Sequence, residues 1–145
     1  FQVGQFDVDS VKIMKKITSK YGILLKEHNC DYLNNDQIKL RKENGINAIN
    51  IAPELGFIQT HLLFYSCKKY KINKEILKFK KYDLKKKKWK KWDYNNENDL
   101  IKFFCSAHYF YASDIYKELI FKLDKKINFQ KKLNENIEKY LLRFY

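Results

Sequence analysis

Arginine is nearly missing from this chain. Arg41 and Arg143 are the only two within a basic total of 30. Arginine supplies the bidentate contacts to bases and phosphates that specific recognition favours, so its scarcity argues against a sequence-reading nucleic-acid binder. Long apolar runs are missing too. No stretch approaches the roughly 18 apolar residues of a membrane-spanning helix, and none reads as a secretory signal. The chain opens on Phe1 rather than Met, which reads as a fragment or a processed chain. Cysteine is sparse: Cys30, Cys67 and Cys105 are far apart and odd in number. With no C-x-x-C pair there is no structural zinc motif, and reduced thiols in a cytoplasmic protein are the plain expectation. Glycine (4) and proline (1) are scarce beside abundant Lys, Asn, Ile, Tyr and Phe, a bias that an AT-rich genome would produce.

What is present suffices for one modest domain. The chain has 145 residues, 45% of them hydrophobic, so it can bury a core and is not disordered throughout. The net charge of +13 is concentrated. Between Lys68 and Trp92 stand 13 lysines against Glu75 and Asp83, a local +11, and the remainder is close to neutral.

Periodicity orders the first half. Residues 9–21 predict a helix capped by Asp9 or Ser10, with Val11, Met14, Ile17 and Tyr21 at helical spacing and Gly22 as its stop. "ILLKE" then reads as a short strand. "NNDQIKLRKENG" reads as a helix with Asn34 or Asn35 as cap and Gly45 as stop. "INAINIA" follows as a second strand, and Pro53 can open a helix through "FIQTHLLFYSCKKY". Alternating helices and strands with short connections predict an α/β fold with parallel strands and helices packed outside.

The second half is helical. Asn73 can cap "KEILKFKKYDL", and "KKKKWKKWDYNNEND" reads as an exposed loop or helix end. Helical pattern resumes at Leu100, Ser113 or Asp114 can start another helix, and Asn128 can start the last. No tandem repeat is evident. The expected division is residues 1–72 as βα units and 73–145 as a helical extension packed on the same domain. A closed (β/α)8 barrel takes about 250 residues, so two strands would make only the C-terminal portion of a TIM-type barrel, followed by a helical tail.

Strand alternation then sorts side chains. Ile23, Leu25 and Glu27 share one face, and the apolar pair suits a helix layer. Leu24, Lys26 and His28 share the other. In the second strand Ile49 and Ile51 suit the helix layer, while Ala48, Asn50 and Ala52 face the axis and Glu54 follows with the same parity. Lys26, His28, Asn50 and Glu54 are therefore expected near one mouth, at the C-terminal ends of parallel strands where such folds keep their sites. His and Glu can ligate zinc or a related divalent ion, Lys can hold a phosphate or an enolate oxygen, and Asn can orient a sugar hydroxyl. The blander expectation is that strand ends reach solvent, where polar residues are ordinary, and that Glu54 is a first-turn acid complementing the helix dipole.

Three segments carry a family resemblance: "KEHN-DYL" at residues 26–33, "GI-A-NIAPE-G" at 45–56 and "AHYFYAS" at 107–113. With these the chain resembles the accessory, non-catalytic subunit of class II tagatose-bisphosphate aldolase, most closely from about Tyr21 to Thr60. The resemblance implies a TIM-type barrel of carbohydrate metabolism whose N-terminal half is missing here. It implies a protein that assists a zinc-dependent aldolase cleaving a ketohexose bisphosphate, or a relative that epimerises ketohexose phosphates at C4. The implied partners are the ketohexose phosphate, the catalytic aldolase subunit and further copies in an oligomer. The implied roles are His28 as a metal or substrate ligand, Glu54 as acid/base or second ligand with Lys26 beside it, and Asn29 and Asn50 as hydroxyl binders. His108 matches a family position, although Ser106-Ala107 replaces a more Gly-rich context. His61, inside an amphipathic pattern, reads as structural.

A supporting subunit without chemistry of its own shares this fold. The competing class is a lysine-rich nucleic-acid binder that uses the Lys68–Trp92 band, with Trp89 and Trp92 as stacking platforms.

Overall fold

The computed structural model describes residues 5–91 and 97–145. It is helix-rich α/β, with a two-stranded parallel sheet and seven α-helices among the described residues. The chain divides into two compact units, one running through Ala52 and rejoined by Leu142–Tyr145, the other Pro53–Leu141.

The first unit opens with α1, Val8–Lys20. Its cap is Asp7 rather than Asp9 or Ser10. The Asp7 carboxylate accepts from the amides of Asp9 and Ser10 and from the Ser10 hydroxyl at 2.7 Å. Those bonds hold Asp7 below its ordinary value. Gly22 stops the segment at φ +67°, a conformation that costs glycine little. Strand β1 is Lys26–Glu27, α2 is Asn35–Glu43 and β2 is Ala48–Ile49. Helix α2 starts with a capping box: the Asn34 side chain accepts from the Gln37 amide at 2.8 Å, and the Gln37 side chain accepts from the Asn34 amide at 2.9 Å.

The strands pair in parallel with Lys26 opposite Ala48 and Glu27 opposite Ile49. Hydrogen bonds extend the pairing on both sides: Asn47 N–H donates to Leu25 O, Asn50 N–H to Glu27 O and Cys30 N–H to Asn50 O. Glu27 lies on the side of α2, as alternation requires. Arg41, 4% exposed, grips both of its carboxylate oxygens at 2.8 and 2.9 Å. Cys30, Leu33 and Ile38 form a small core, with Ile49 and Phe144 against it. A cavity of about 90 Å³ lies beside it, lined by residues that include Ile46 and Ala48. Ile23 departs from expectation. It is exposed, as is Leu24, because pairing reaches no further back than Leu25 and no described element covers them.

The second unit packs α3 (Pro53–Lys69), α4 (Asn73–Lys86), α5 (Asp99–Ser106), α6 (Asp114–Asp124) and α7 (Phe129–Leu141). Consecutive phenylalanines on α5 share Phe64 of α3 as a neighbour and differ in their other partners. Phe104 meets Phe57 and Phe64 of α3 edge-on, and Phe103 meets Phe79 of α4 edge-on at 5.6 Å. Helix α5 is thereby wedged between α3 and α4, and Leu63, Ile76, Leu119, Leu123 and Leu133 complete the core. Caps at Asn98, Ser113 and Asn128 act through their side chains. Asn73 is instead the first residue of α4, whose cap position is Ile72 without a side-chain bond. After α4, Lys87 turns left-handed at φ 55° and Lys88–Lys91 form a 3-10 turn. Trp92 and residues 93–96, the rest of the expected exposed loop, lie outside the described residues. None of the described helices is long and apolar enough to cross a membrane.

Candidate functional site

The expected site residues fall into two groups, one in each unit. In the first unit the parallel register sets Lys26 beside Ala48, so Lys26 and His28 share a face with Ala48 and Asn50. That face is exposed. His28 Nδ1 and Asn50 Nδ2 are 3.2 Å apart. In this pair the amide nitrogen is the donor and Nδ1 the acceptor. Helix α2 and the buried Glu27–Arg41 pair lie behind this face and fix the strand that presents it.

The loop beyond β1 is held in an unusual shape. Asn29 and Tyr32 both have left-handed backbones, φ 60° and 62°. Tyr32, which is bulky, pays more for that than Asn29 does, and such positions recur at ligand-binding loops. Two bonds tie the loop to the exit of β2: Cys30 N–H to Asn50 O at 3.0 Å and Ala52 N–H to the Asp31 carboxylate at 3.0 Å. Lys26, His28 and Asn50 thus share one face at a pinned strand end, and Asn29 follows His28 in the loop. Beneath it the Cys30 thiol is pushed up to about 11 by burial and then by the Glu27 charge, so it stays a neutral core group near pH 7.

Glu54 and His108 belong to the second unit. Glu54 sits in the first turn of α3 and is buried, and Tyr140 O–H donates to its Oε2 at 2.5 Å. His108 lies in the 3-10 turn Ala107–Phe110, against the α3 backbone at Gly56. A Cβ at position 56 would come within 2.9 Å of Cβ, Cγ and Nδ1 of His108. The glycine of "NIAPELG" is therefore what lets "AHYFYAS" close on α3. Nearby, Tyr111 and Thr60 hydroxyls are 2.6 Å apart, and Thr60 O–H reaches Gly56 O at 2.8 Å. Burial lowers the pKa of His108 and raises that of Tyr111, so both are neutral at pH 7. Half-exposed His61 lies edge-on to Phe104 at 5.2 Å, in keeping with a structural role.

A zinc centre needs three or four converging His, Cys, Asp or Glu donors. Among the described residues no three His, Cys, Asp or Glu side chains converge as a metal would require. His28 offers one donor atom, and its Nδ1 is engaged by the Asn50 amide. The described residues do not fit a complete zinc centre.

Some polar pairs were not anticipated from sequence. Tyr140–Glu54 joins residues 86 positions apart, which no local pattern announces. Asp83–Ser106 had a signal that was missed. Ile76, Phe79 and Asp83 follow i, i+3, i+7 spacing, so Asp83 falls on the buried stripe of α4 although lysines surround it in sequence. Compared with known proteins, the chain matches no family model, no curated protein and no solved structure.

Proposed function

We propose that this chain is a C-terminal portion of a TIM-type barrel that binds a ketohexose phosphate as an accessory subunit of a class II tagatose-bisphosphate aldolase system in cytoplasmic carbohydrate metabolism. The observation that carries the reading is the platform at the ends of two parallel strands, where Lys26, His28 and Asn50 share one exposed face. Its chemistry suits a phosphorylated sugar. Lys26 supplies a flexible cation for a phosphate. The exposed His28 ring, engaged by Asn50 at Nδ1, leaves Nε2 to meet a sugar-phosphate oxygen. Asn29, beside His28 on the pinned loop, supplies an amide for hydroxyls. The close approach of His108 in "AHYFYAS" to Gly56, the last residue of the segment at 45–56, adds support, because the ends of two resembling segments then meet.

A supporting role fits better than autonomous catalysis. Glu54, the expected acid/base, is buried and engaged by Tyr140, and no complete metal centre is assembled. The chain should therefore bind sugar phosphate and sustain a catalytic subunit rather than turn over substrate alone. The test is cleavage of a ketohexose bisphosphate by a zinc-loaded catalytic subunit, with and without this chain. Activity should be sustained by the wild-type chain and less well by His28→Ala. Equal rates with and without the chain would overturn the reading.

The nucleic-acid alternative gains less. Lys85–Lys88, Lys90 and Lys91 are exposed, which suits a salt-sensitive polyanion footprint. Trp89, however, is half-buried, with the Lys102 ammonium 4.6 Å from its ring, and is not presented as a stacking platform.

A further inference from the structure

We propose that Asp83 is carried in the folded protein as a neutral carboxylic acid, and that loss of its proton loosens the α4–α5 packing, making this pair a pH-sensitive lock on the Pro53–Leu141 unit. Asp83 and Ser106 are both 0% exposed. Ser106 Oγ lies 2.9 and 2.8 Å from the two carboxyl oxygens of Asp83, and 2.9 Å from the Lys102 carbonyl one turn back on α5. Three acceptor oxygens thus surround a hydroxyl that has one proton. A second proton resolves the shortage. With Asp83 protonated, its O–H donates to Ser106 Oγ, and the Ser106 O–H donates to Lys102 O. With Asp83 ionised, the hydroxyl proton can serve only one oxygen well, and a carboxylate is left in the core with a single shared donor.

Among the described residues no lysine, arginine or histidine forms an ion pair with Asp83. On α5, the Lys102 ammonium is turned to Asp99 at 3.3 Å. On α6, Lys122 is taken by Glu75 and Glu118, while the Tyr116 phenol is raised by burial. The 3-10 turn after α5 offers His108, which burial keeps neutral, and leads to Tyr111, whose phenol is raised. On α3, the Cys67 thiol is pushed up to about 12. The lysines that follow Asp83, Lys85–Lys88, Lys90 and Lys91, are exposed. The setting is one of neutral groups, and burial pushes Asp83 itself up to about 7 from 3.8.

The direction of the pH effect follows. Between these two values the folded state holds a proton that the unfolded chain has released, so folding weakens as pH rises across the window, by about tenfold in the folding constant per pH unit. Above about 7 the loss is complete and Asp83 is ionised. The part released is the last turn of α4 and the 3-10 turn behind it, which holds α5 by way of Trp89 over Lys102. His61 and His108, whose values are lowered, act oppositely by favouring folding as pH rises through their range. A difference measurement is therefore needed.

The first measurement is the carboxyl-carbon chemical shift of Asp83 in the wild-type chain across pH. A midpoint near neutrality is expected, and a midpoint in the ordinary aspartate range near 4 would overturn the proposal. The second is the urea midpoint of wild type and Asp83→Asn between about pH 5 and about pH 8. The wild type should lose stability relative to the variant as pH rises, and parallel profiles would overturn the proposal. If the variant does not fold, the carboxyl titration decides alone.

Discussion

Gly56 shows how one missing side chain can join two segments of the sequence. It sits in the second turn of α3, where alanine would gain about 1 kcal/mol of helix propensity. The His108 ring fills the space a Cβ would need, at 2.9 Å from three of its atoms. Two of those atoms, Cβ and Cγ, are near the His108 backbone and cannot swing away like the end of a lysine. Overpacking of this kind costs about 1–3 kcal/mol, so the gain is outweighed. Gly56→Ala should lower the urea midpoint by the equivalent of about 1 kcal/mol. Raised stability in the variant would show that His108 yields easily and that the contact is incidental. Arg41 is the opposite case, a residue whose role needs its whole side chain. Its bidentate grip on Glu27 and its position 4.4 Å from the centre of the Phe6 ring depend on a planar guanidinium.

At the scale of elements, stops and caps were the most legible features. Gly22 and Gly45 adopt positive φ where the pattern ends, and Asn34, Ser113 and Asn128 cap where polar residues precede apolar runs. Face assignments were legible too. Alternation separated Glu27 from Lys26 and His28, and the structure pairs Glu27 with Arg41 and His28 with Asn50. Strand length was not legible. "ILLKE" and "INAINIA" have strand composition throughout, yet each contributes two paired residues, because ladder length depends on how far the partner runs alongside. The shift of one helix cap from Asp9 or Ser10 to Asp7 has a similar cause: all three side chains can cap, and local sequence does not rank them. Helix α1 is the element least supported by packing. It buries no residue, and Ile13, Met14 and Ile17 are 61%, 49% and 49% exposed. A helix of its length is marginal in water without tertiary contacts. Its amides should therefore exchange with solvent faster than those of α3, which buries Leu63, Phe64 and Cys67. Equal protection of α1 and α3 would show that an interaction beyond those described holds α1.

For the molecule as a whole, the lysine band and the strand-end platform fall in different units. The described lysines of the band run from the last turn of α3 through α4 and the turn after it, within the Pro53–Leu141 unit. The strand-end platform of Lys26, His28 and Asn50, with Asn29 following in the loop, belongs to the unit that runs through Ala52. The grouping of Glu54 with that platform rested on continuing strand parity past Ala52. Pro53 ends the strand and begins α3, and helical geometry replaces alternation from there. Parity was therefore reliable for Lys26, His28 and Asn50 and had no physical basis beyond them. The two units also separate the functional alternatives. A sugar phosphate should act on the first, and a polyanion held by lysines on the second.

The central claim is that the platform binds a phosphorylated ketose. The most direct measurement is a titration of the isotope-labelled chain with a ketohexose bisphosphate, followed residue by residue through amide and imidazole resonances. Saturable shifts are expected at Lys26, His28, Asn29 and Asn50, with the imidazole among the most affected, and they should weaken sharply in His28→Ala while the rest of the spectrum is unchanged. No shift at these four residues, or shifts confined to Lys85–Lys91, would contradict the account.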